Sequence, residues 1–151
     1  MALEAGGQVI ARSKGRRIET PRGKLVQIKF KGGRVSCRLT WNRDFGPRRT
    51  SQFQSVQEYV DAAVLRYCRP YVPMQSGFLM RSGDLGTVIG SGEVSYIAPY
   101  AHRLYYGVSF HFDKSAHPNA GALWFERAMI DHKADILRGA AVRAGGKAHG
   151  V

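Results

Sequence analysis

The stretch of sequence that decides the fold runs from Pro70 to Gly107 and reads PYVPMQSGFLMRSGDLGTVIGSGEVSYIAPYAHRLYYG. Proline, glycine and tyrosine recur throughout it. Pro70 cannot continue a helix that precedes it, and Pro73 keeps Val72 extended. The stretch contains no pair of carboxylates and three tyrosines near its end, so it is predicted to be a packing and docking element rather than a reactive one.

Three short elements are predicted inside this stretch. Ser76 is a good N-cap for one apolar helical turn that begins at the next large residues. Ser91-Gly92 separates two apolar runs, 87–89 and 94–97, and this pattern is typical of a β-hairpin. Pro99 suits the first turn of a second short helix.

The clearest local pattern lies upstream, from Lys24 to Trp41. Apolar residues alternate with polar ones on both sides of Gly32-Gly33, a pair that suits a two-residue turn with positive φ. This turn places Phe30 opposite Val35 and gives the predicted hairpin one apolar face. An isolated hairpin is only marginally stable, so we expect that face to pack on a helix or on more sheet. The other face is predicted to carry four cations, Lys29, Lys31, Arg34 and Arg38.

Two longer helices are predicted on either side of the central stretch. A capping-box pattern at Ser51 and an apolar stripe at helical spacing predict one helix over about 52–69. Asn42 to Thr50 is predicted to be a connecting loop, broken by its Gly-Pro pair. A second stripe predicts a helix over about 122–143 that Gly145-Gly146 ends. With a further strand at 108–112, the pattern indicates an α+β fold: a small, mostly antiparallel sheet packed against a long central helix and a C-terminal helix.

The net charge of +12 is concentrated in the amino-terminal third of the 151-residue chain. Residues 1–50 contain thirteen Lys or Arg and three acidic residues, a net charge of +10, whereas residues 51–151 carry a net charge of +2. A field of this kind favours an acidic partner, either DNA phosphate or the acidic face of a protein. The alternative is a charged arm that only keeps the protein in solution.

Composition predicts one domain with mobile ends. We expect a flexible basic arm over 1–23, which could instead begin with an edge strand at 8–10, then a single α+β domain over 24–145 and a flexible tail over 146–151. No stretch has the length of apolar sequence that spans a membrane, and the amino terminus lacks the apolar segment of a signal peptide. We therefore expect a cytoplasmic protein that does not enter membranes. Cys37 and Cys68 are predicted to be buried, reduced thiols.

The sequence offers no convincing catalytic or metal site. His102, His111 and His117 are spaced by nine and six residues, which matches no compact zinc pattern. The acidic residues are scattered over separate elements, and the glycines between 83 and 92 lack the Lys-Ser/Thr of a phosphate-binding loop. We expect no enzymatic activity, no metal and no cofactor.

Several motifs in order along the chain resemble the minor capsid proteins of tailed bacteriophages, small proteins of the head–tail junction similar to the tail-completion family. The resemblance covers roughly Ser51 to Arg138. The motifs are Pro70–Met74, Ser76-Gly77, Ala98–Ala101, Arg103–Gly107, His117–Gly121 and Trp124–Ala128.

This resemblance implies a structural virion protein that forms a ring in the neck and joins the head, on its portal, adaptor or stopper side, to the tail. We expect a homo-oligomer of about six or twelve copies that contacts adjacent neck and tail proteins and that is present in the host cytoplasm during assembly. Its small α+β relatives agree with the fold predicted above. The alternative is a module that binds nucleic acid without sequence preference through the basic hairpin and arm.

Two groups of residues are assigned to contacts. Phe125 is expected to enter the core, and Trp124 is expected to bridge to a neighbour or to the PYVP loop. The predicted subunit or neighbouring-ring contacts are Tyr71, Tyr100, Arg103, Tyr105, Tyr106 and Trp124. The residues predicted to face packaged DNA or an acidic partner are Lys29, Lys31, Arg34, Arg38, Arg48 and Arg49.

Overall fold

A computed structural model describes residues 17–147 of the chain. Its elements in chain order are strand β1 (Lys24–Phe30), strand β2 (Gly33–Leu39), helix α1 (Phe45–Cys68), a single 3₁₀ turn (Arg69–Tyr71), helix α2 (Phe78–Gly86), helix α3 (Ala101–Tyr105) and helix α4 (Trp124–Arg143). The predicted α+β class, with an antiparallel sheet, a long helix and a C-terminal helix, is confirmed. The predicted edge strand at 8–10 and most of the arm and tail lie outside the described residues.

Helix α1 begins at Phe45, several residues before the predicted start, so the prediction of a loop over Asn42 to Thr50 was wrong. Pro47 lies in the first turn of the helix, where its missing N–H needs no partner, so it is compatible with the helix start. The side chain of Thr20 supplies the cap: its hydroxyl accepts a hydrogen bond from the Gly46 N–H at 3.0 Å and donates one to the Arg43 carbonyl at 3.1 Å. This part of the predicted arm therefore lies against α1.

Helices α1 and α4 pack antiparallel and form the core. The side-chain amide of Gln52 donates to the Ala144 carbonyl at 2.5 Å near one end, and the rings of Tyr67 and His132 stack with centroids 4.5 Å apart near the other. The buried residues between and above the two helices include Ala63, Val64, Cys68, Val72, Leu79, Ala98, Ala101, Trp124, Ala128 and Ile136.

The carboxyl end of α4 agrees with its sequence prediction. Gly145 adopts a left-handed φ of 79°. Its N–H donates to the Val142 carbonyl at 3.0 Å, and the Gly146 N–H donates to the Ala141 carbonyl at 2.8 Å. This is the pair of hydrogen bonds of a Schellman motif, which ends a helix at a glycine.

The sheet has two strands, so the predicted strands at 87–89, 94–97 and 108–112 were wrong. Around the first two, the hydroxyl of Thr87 accepts a hydrogen bond from the Ser95 N–H at 3.1 Å and donates to the Ser95 carbonyl at 3.4 Å. A side chain thus takes the place of a backbone ladder. At 108–112 the chain instead makes successive turns after α3.

The short helices fall where the sequence placed them, with shifted ends. Helix α2 continues from Phe78 to Gly86 and is longer than the predicted single turn. Its N-cap is Gly77, at a φ of 75°, rather than Ser76. Helix α3 begins at Ala101, just after Pro99.

The hairpin of β1 and β2 has a register shifted by two residues from the prediction. Its turn is Lys31-Gly32, which pairs Phe30 with Gly33 and Ile28 with Val35. The Phe30 ring lies next to Gly33, so the aromatic side chain covers a position that has none of its own. A shift of two keeps every side chain on its predicted face, because strand side chains alternate with a period of two.

Both faces of this hairpin are exposed along their whole length. The expectation that its apolar face packs on a helix or on further strands is not met within the described chain. We call this surface the apolar hairpin face; its members are Val26, Ile28, Phe30, Val35, Cys37 and Leu39. Between 42% and 61% of each of its five large apolar residues is open to solvent.

The two cysteines differ in environment. Cys68 is buried as predicted, whereas Cys37 is exposed, which corrects that prediction. Burial raises the pKa of the Cys68 thiol to about 12. Because the thiolate is the reactive form, Cys68 is protected both by its position and by its protonation.

We therefore expect a maleimide at pH 8 to modify one thiol per native chain, at Cys37, and two in denaturant. At that pH about one Cys68 in 10,000 would be ionised. Mass spectrometry of the digested protein measures the site and the rate, and a Cys37→Ser variant should remain unmodified in the native state. Equal native rates at both cysteines would contradict the described burial.

Candidate assembly interface

The tyrosine of the PYVP motif is a buried support for α4. Tyr71 is 5% exposed, and its hydroxyl donates a hydrogen bond to Asp131 at 2.5 Å. This hydrogen bond is the main reason why the pKa of the Tyr71 phenol is raised, and burial adds to the effect. The guanidinium of Arg127 lies 5.5 Å from the centre of the Tyr71 ring. Tyr71 therefore has little surface left for a partner, so the interface role predicted for it does not fit its burial.

The PYVP and HPNAG motifs meet in space although more than forty residues separate them. A ring nitrogen of His117 lies 2.9 Å from the Val72 carbonyl, and the Gly121 N–H donates to the Tyr71 carbonyl at 3.1 Å. These contacts satisfy backbone groups of an extended segment that has no strand partner. The two motifs therefore pack against each other just before α4 begins.

Trp124 is the central aromatic side chain of the fold. It is 2% exposed, and its ring packs edge-on against Tyr96 and Tyr105 at centroid distances of 5.5 Å and 4.8 Å. Phe125 is 43% exposed, so the expectation that Phe125 enters the core and Trp124 bridges outwards was wrong. The buried stripe of α4 passes through Trp124, Ala128 and Ile136, and this helical phase turns Phe125 to solvent.

A buried carboxylate that the sequence reading did not single out fixes the loop after α2. Asp61 is 2% exposed on α1. One of its oxygens accepts hydrogen bonds from the N–H groups of Gly90 and Gly92 at 2.8 Å and 3.0 Å, and the other accepts one from the Gln57 amide at 2.8 Å. Both glycines have positive φ, 91° and 79°, which turns their N–H groups towards one point. The loop is thereby held against α1.

This loop forms one wall of an apolar cavity that is open to solvent. We call it the tyrosine groove; it has a volume of about 530 Å³. Its other walls come from α1, α3 and the start of α4. The lining residues are Gln57, Val60, Asp61, Val64, Cys68, Gly92, Val94, Tyr96, Ala101, His102, Tyr105, Tyr106, Trp124 and Phe125. None of them is a lysine or an arginine.

The predicted contact residues divide between this groove and a second one. Tyr105, Tyr106 and Trp124 line the tyrosine groove, with Trp124 at its base. Tyr100 and Arg103 line a separate cavity of about 620 Å³ between the segment before α2 and residues 110–113. The structure thus offers two different surfaces where the sequence suggested one.

The predicted basic residues lie at the amino end of α1 and on the hairpin that precedes it. Lys29 and Arg34 are paired across the strands, and Lys31 is in the turn. On α1, the Arg49 guanidinium donates to the Gln52 side chain at 2.7 Å. All six predicted cations are exposed: Lys29, Lys31, Arg34, Arg38, Arg48 and Arg49. Within residues 17–147, none of them forms an ion pair with a carboxylate.

Two of the histidines singled out in the sequence, His102 and His117, take structural positions. His117 contacts the Val72 carbonyl, and the His102 ring packs on Tyr106 with centroids 4.8 Å apart. Over the described part of the chain, no three His, Cys, Asp or Glu side chains are grouped as metal ligands would be.

Two features of this site escaped the sequence reading. Asp61 lies on an apolar helical stripe, and an acidic residue in that position was the available signal. Tyr96 was assigned to a strand, and only the fold brings it against Trp124. A Cβ added at Gly83 would lie 2.7 Å from the Tyr96 ring, so this close packing requires the glycine.

Comparison with known proteins gives one match. A family model described as minor capsid protein matches residues 49–144, which is more than half of the chain. No curated protein and no solved structure matches the chain.

Within the described residues, none of the helices combines the length and the apolar character needed to cross a lipid bilayer.

Proposed function

The chain belongs to the minor capsid protein family of phages, and from this premise we propose that it forms a ring in the neck of a tailed phage, between head and tail. As a member of that family, it is a structural component of the virion. The observation that best supports the neck ring is the hairpin, a projection with one apolar and one basic face, both open to solvent. Such a surface is suited to burial in an assembly.

The proposed ring contains about six or twelve copies, the numbers that match the symmetry of a portal or a tail. The basic face would line the DNA channel or contact an acidic neighbouring ring, since Lys29 and Arg34 lie side by side without a carboxylate partner in the described chain. The subunits would be present in the host cytoplasm before they join adjacent neck and tail proteins. In this proposal the protein functions through the fit between its surfaces and those of neighbouring proteins, and it catalyses no reaction.

The position of the chain in intact particles tests this proposal. Cryo-electron microscopy of the neck should show ring density between portal and tail tube into which residues 17–147 fit, with the basic hairpin face towards DNA or an acidic ring. Absence of this chain from the neck of mature particles would overturn the proposal.

Charge reversal on the hairpin should reduce assembly without unfolding the subunit. We expect Lys29→Glu combined with Arg34→Glu to lower the yield of infectious particles by about tenfold or more, because like charges against an acidic partner cost several kcal/mol. Lys114→Glu combined with Lys133→Glu is the matched control, since both residues are exposed and the change in charge is the same. Equal titres for the two double variants, with equal circular dichroism spectra, would remove the hairpin from the proposed contact.

The unpaired cations also support a second candidate, a module that binds nucleic acid without sequence preference. It predicts tight DNA binding by the isolated protein that weakens steeply with salt. The neck proposal predicts weak binding by the isolated protein, because its DNA contact would form only inside the ring. Fluorescence anisotropy with duplex DNA at 50 and 200 mM salt separates the two.

A further inference from the structure

We propose that the apolar hairpin face of one subunit docks into the tyrosine groove of the next copy of the same chain. The inference deepens the proposed ring and rests on it for the identity of the occupant. Two unlike surfaces on one chain that fit each other give a head-to-tail contact, and repetition of such a contact closes into a ring.

The hairpin shows the need for a partner. Ile28 and Val35 face each other across the strands and are 61% and 55% exposed. A two-stranded hairpin in water is marginally stable, and it becomes stable when its apolar face packs on something. Burial contributes about 25 cal/mol per Å² of apolar surface, so the five large side chains of this face provide a substantial driving force for association.

The groove shows the matching chemistry and a volume typical of ligand pockets. Its volume of about 530 Å³ lies within the range of roughly 300–1,000 Å³ that is typical of binding pockets. Asp61 holds one wall in place through Gly90 and Gly92, and the edge-on contact with Trp124 fixes Tyr105. A groove whose walls are already ordered loses little conformational entropy when it is filled.

The distribution of charge on the hairpin and around the tyrosine groove favours the hairpin as the segment that fills the groove. Residues 24–39 contain five Lys or Arg and no acidic residue. The groove lining contains no Lys or Arg, and two exposed carboxylates adjoin it in sequence, Glu93 between Gly92 and Val94 and Glu126 after Phe125. The exposed Arg69 and Arg103 also adjoin the lining in sequence, so its surroundings are of mixed charge, and it is the cation-free lining itself that suits a hairpin flanked by cations.

A second copy fits better than the subunit's own hairpin. The hairpin joins the amino end of α1, and the groove begins at Gln57, about 18 Å further along that helix by its rise per residue. In the described chain the hairpin is exposed on both faces and does not line the groove. In each subunit, the apolar hairpin face is therefore uncovered and the tyrosine groove is not filled by the subunit's own hairpin.

The test is self-association of the purified full chain, measured by sedimentation velocity over a range of concentrations. We expect reversible association that weakens by about tenfold or more in Ile28→Ser with Val35→Ser. The matched control is Gln27→Ala with Ser36→Ala. These two residues are paired across the same strands but lie on the opposite face, so this double variant should associate like the wild type. Tyr106→Arg, which places a cation at an exposed groove position, should weaken association by a similar factor.

Mixing distinguishes docking from a general loss of solubility or fold. The hairpin double variant keeps an intact groove, and Tyr106→Arg keeps an intact hairpin, so an equimolar mixture should form heterodimers and nothing larger. Cys37 provides a second readout, since its alkylation should slow by about tenfold or more in the associated wild-type protein. A mixture that stays monomeric while both variants have native circular dichroism spectra would overturn the inference.

Other outcomes separate this inference from the neck proposal. If the wild-type chain is monomeric at every concentration but Cys37 is protected in particles, another neck protein covers the hairpin and the second-copy assignment is wrong. If Cys37 in neck rings reacts as fast as in the monomer, the docking inference fails and the neck proposal stands. If hairpin and groove mediate self-association but the neck lacks this chain, the neck proposal alone fails.

Discussion

Replacing Trp124 by alanine is expected to lower the free energy of unfolding by about 3–5 kcal/mol, the usual cost of removing a large buried aromatic side chain. Trp124 is 2% exposed and contacts both Tyr96 and Tyr105. Its loss would leave a cavity beneath the tyrosine groove and free both tyrosines to move. Urea denaturation followed by far-ultraviolet circular dichroism measures the change.

The neighbouring residue provides the control for this experiment. Phe125 is 43% exposed, so Phe125→Ala should cost about 1 kcal/mol or less. The same pair tests the helical phase of α4, because a reversed order of the two effects would place Phe125 in the core. Equal losses for both variants would contradict the described packing of this helix.

Replacing Asp61 by alanine is expected to lower the free energy of unfolding by roughly 2–4 kcal/mol, since it leaves the buried Gly90 N–H without an acceptor and removes two further, partly buried hydrogen bonds. Three hydrogen bonds end on this carboxylate, from Gly90, Gly92 and Gln57. The loop should then detach locally, so amide hydrogen exchange at Gly90 and Gly92 should accelerate more than exchange in α4.

Glu93→Ala is the matched control for Asp61→Ala, because Glu93 is an exposed carboxylate on the same loop. Its removal should change stability by about 0.5 kcal/mol or less. Weakened self-association in Asp61→Ala at temperatures where the chain remains folded would further connect the loop to the tyrosine groove. Unchanged exchange at both glycines would show that the carboxylate does not hold the loop.

Local patterns were sufficient where the structure is determined locally. The alternation around Gly32-Gly33 predicted the hairpin, and Gly145-Gly146 predicted the end of α4 through its own backbone hydrogen bonds. The start of α1 was missed because its cap, Thr20, lies more than twenty residues upstream. No pattern within the helix itself shows this cap.

The errors in the sheet have a related cause. The runs 87–89 and 94–97 have the composition of strands, but the side chains of Thr87 and Asp61 accept hydrogen bonds from backbone N–H groups of this loop in place of a ladder. Rules based on the alternation of apolar and polar residues cannot predict which side chains will hydrogen-bond to the backbone in place of a neighbouring strand. The exposed apolar face of the hairpin was missed for another reason, since the sequence pattern predicts that a surface is buried but not which molecule covers it.

The contact role of the tyrosines stays a prediction, and the structure shows how the predicted residues are grouped. Tyr105 and Tyr106 were identified because tyrosine combines an apolar ring with a polar end. Tyr100 and Arg103 line a different cavity because helical spacing places them on another face of α3 and its flanking residues. The burial of Tyr71 follows from its contacts with α4, which are long-range in sequence.

The hydrogen bond from Gln52 to Ala144 has a consequence for how the subunit orients in solution. It brings the carboxyl end of α4, with Arg143, to the amino end of α1, from which the basic hairpin also arises. Residues 17–50 carry a net charge of +8 and residues 51–151 one of only +2, so within the described chain the positive charge is concentrated at this end. Under the proposed assembly next to packaged DNA, this charge asymmetry would orient the subunit before contact, with its hairpin end first. Salt would weaken this alignment and slow productive encounter, even where the final interface is apolar.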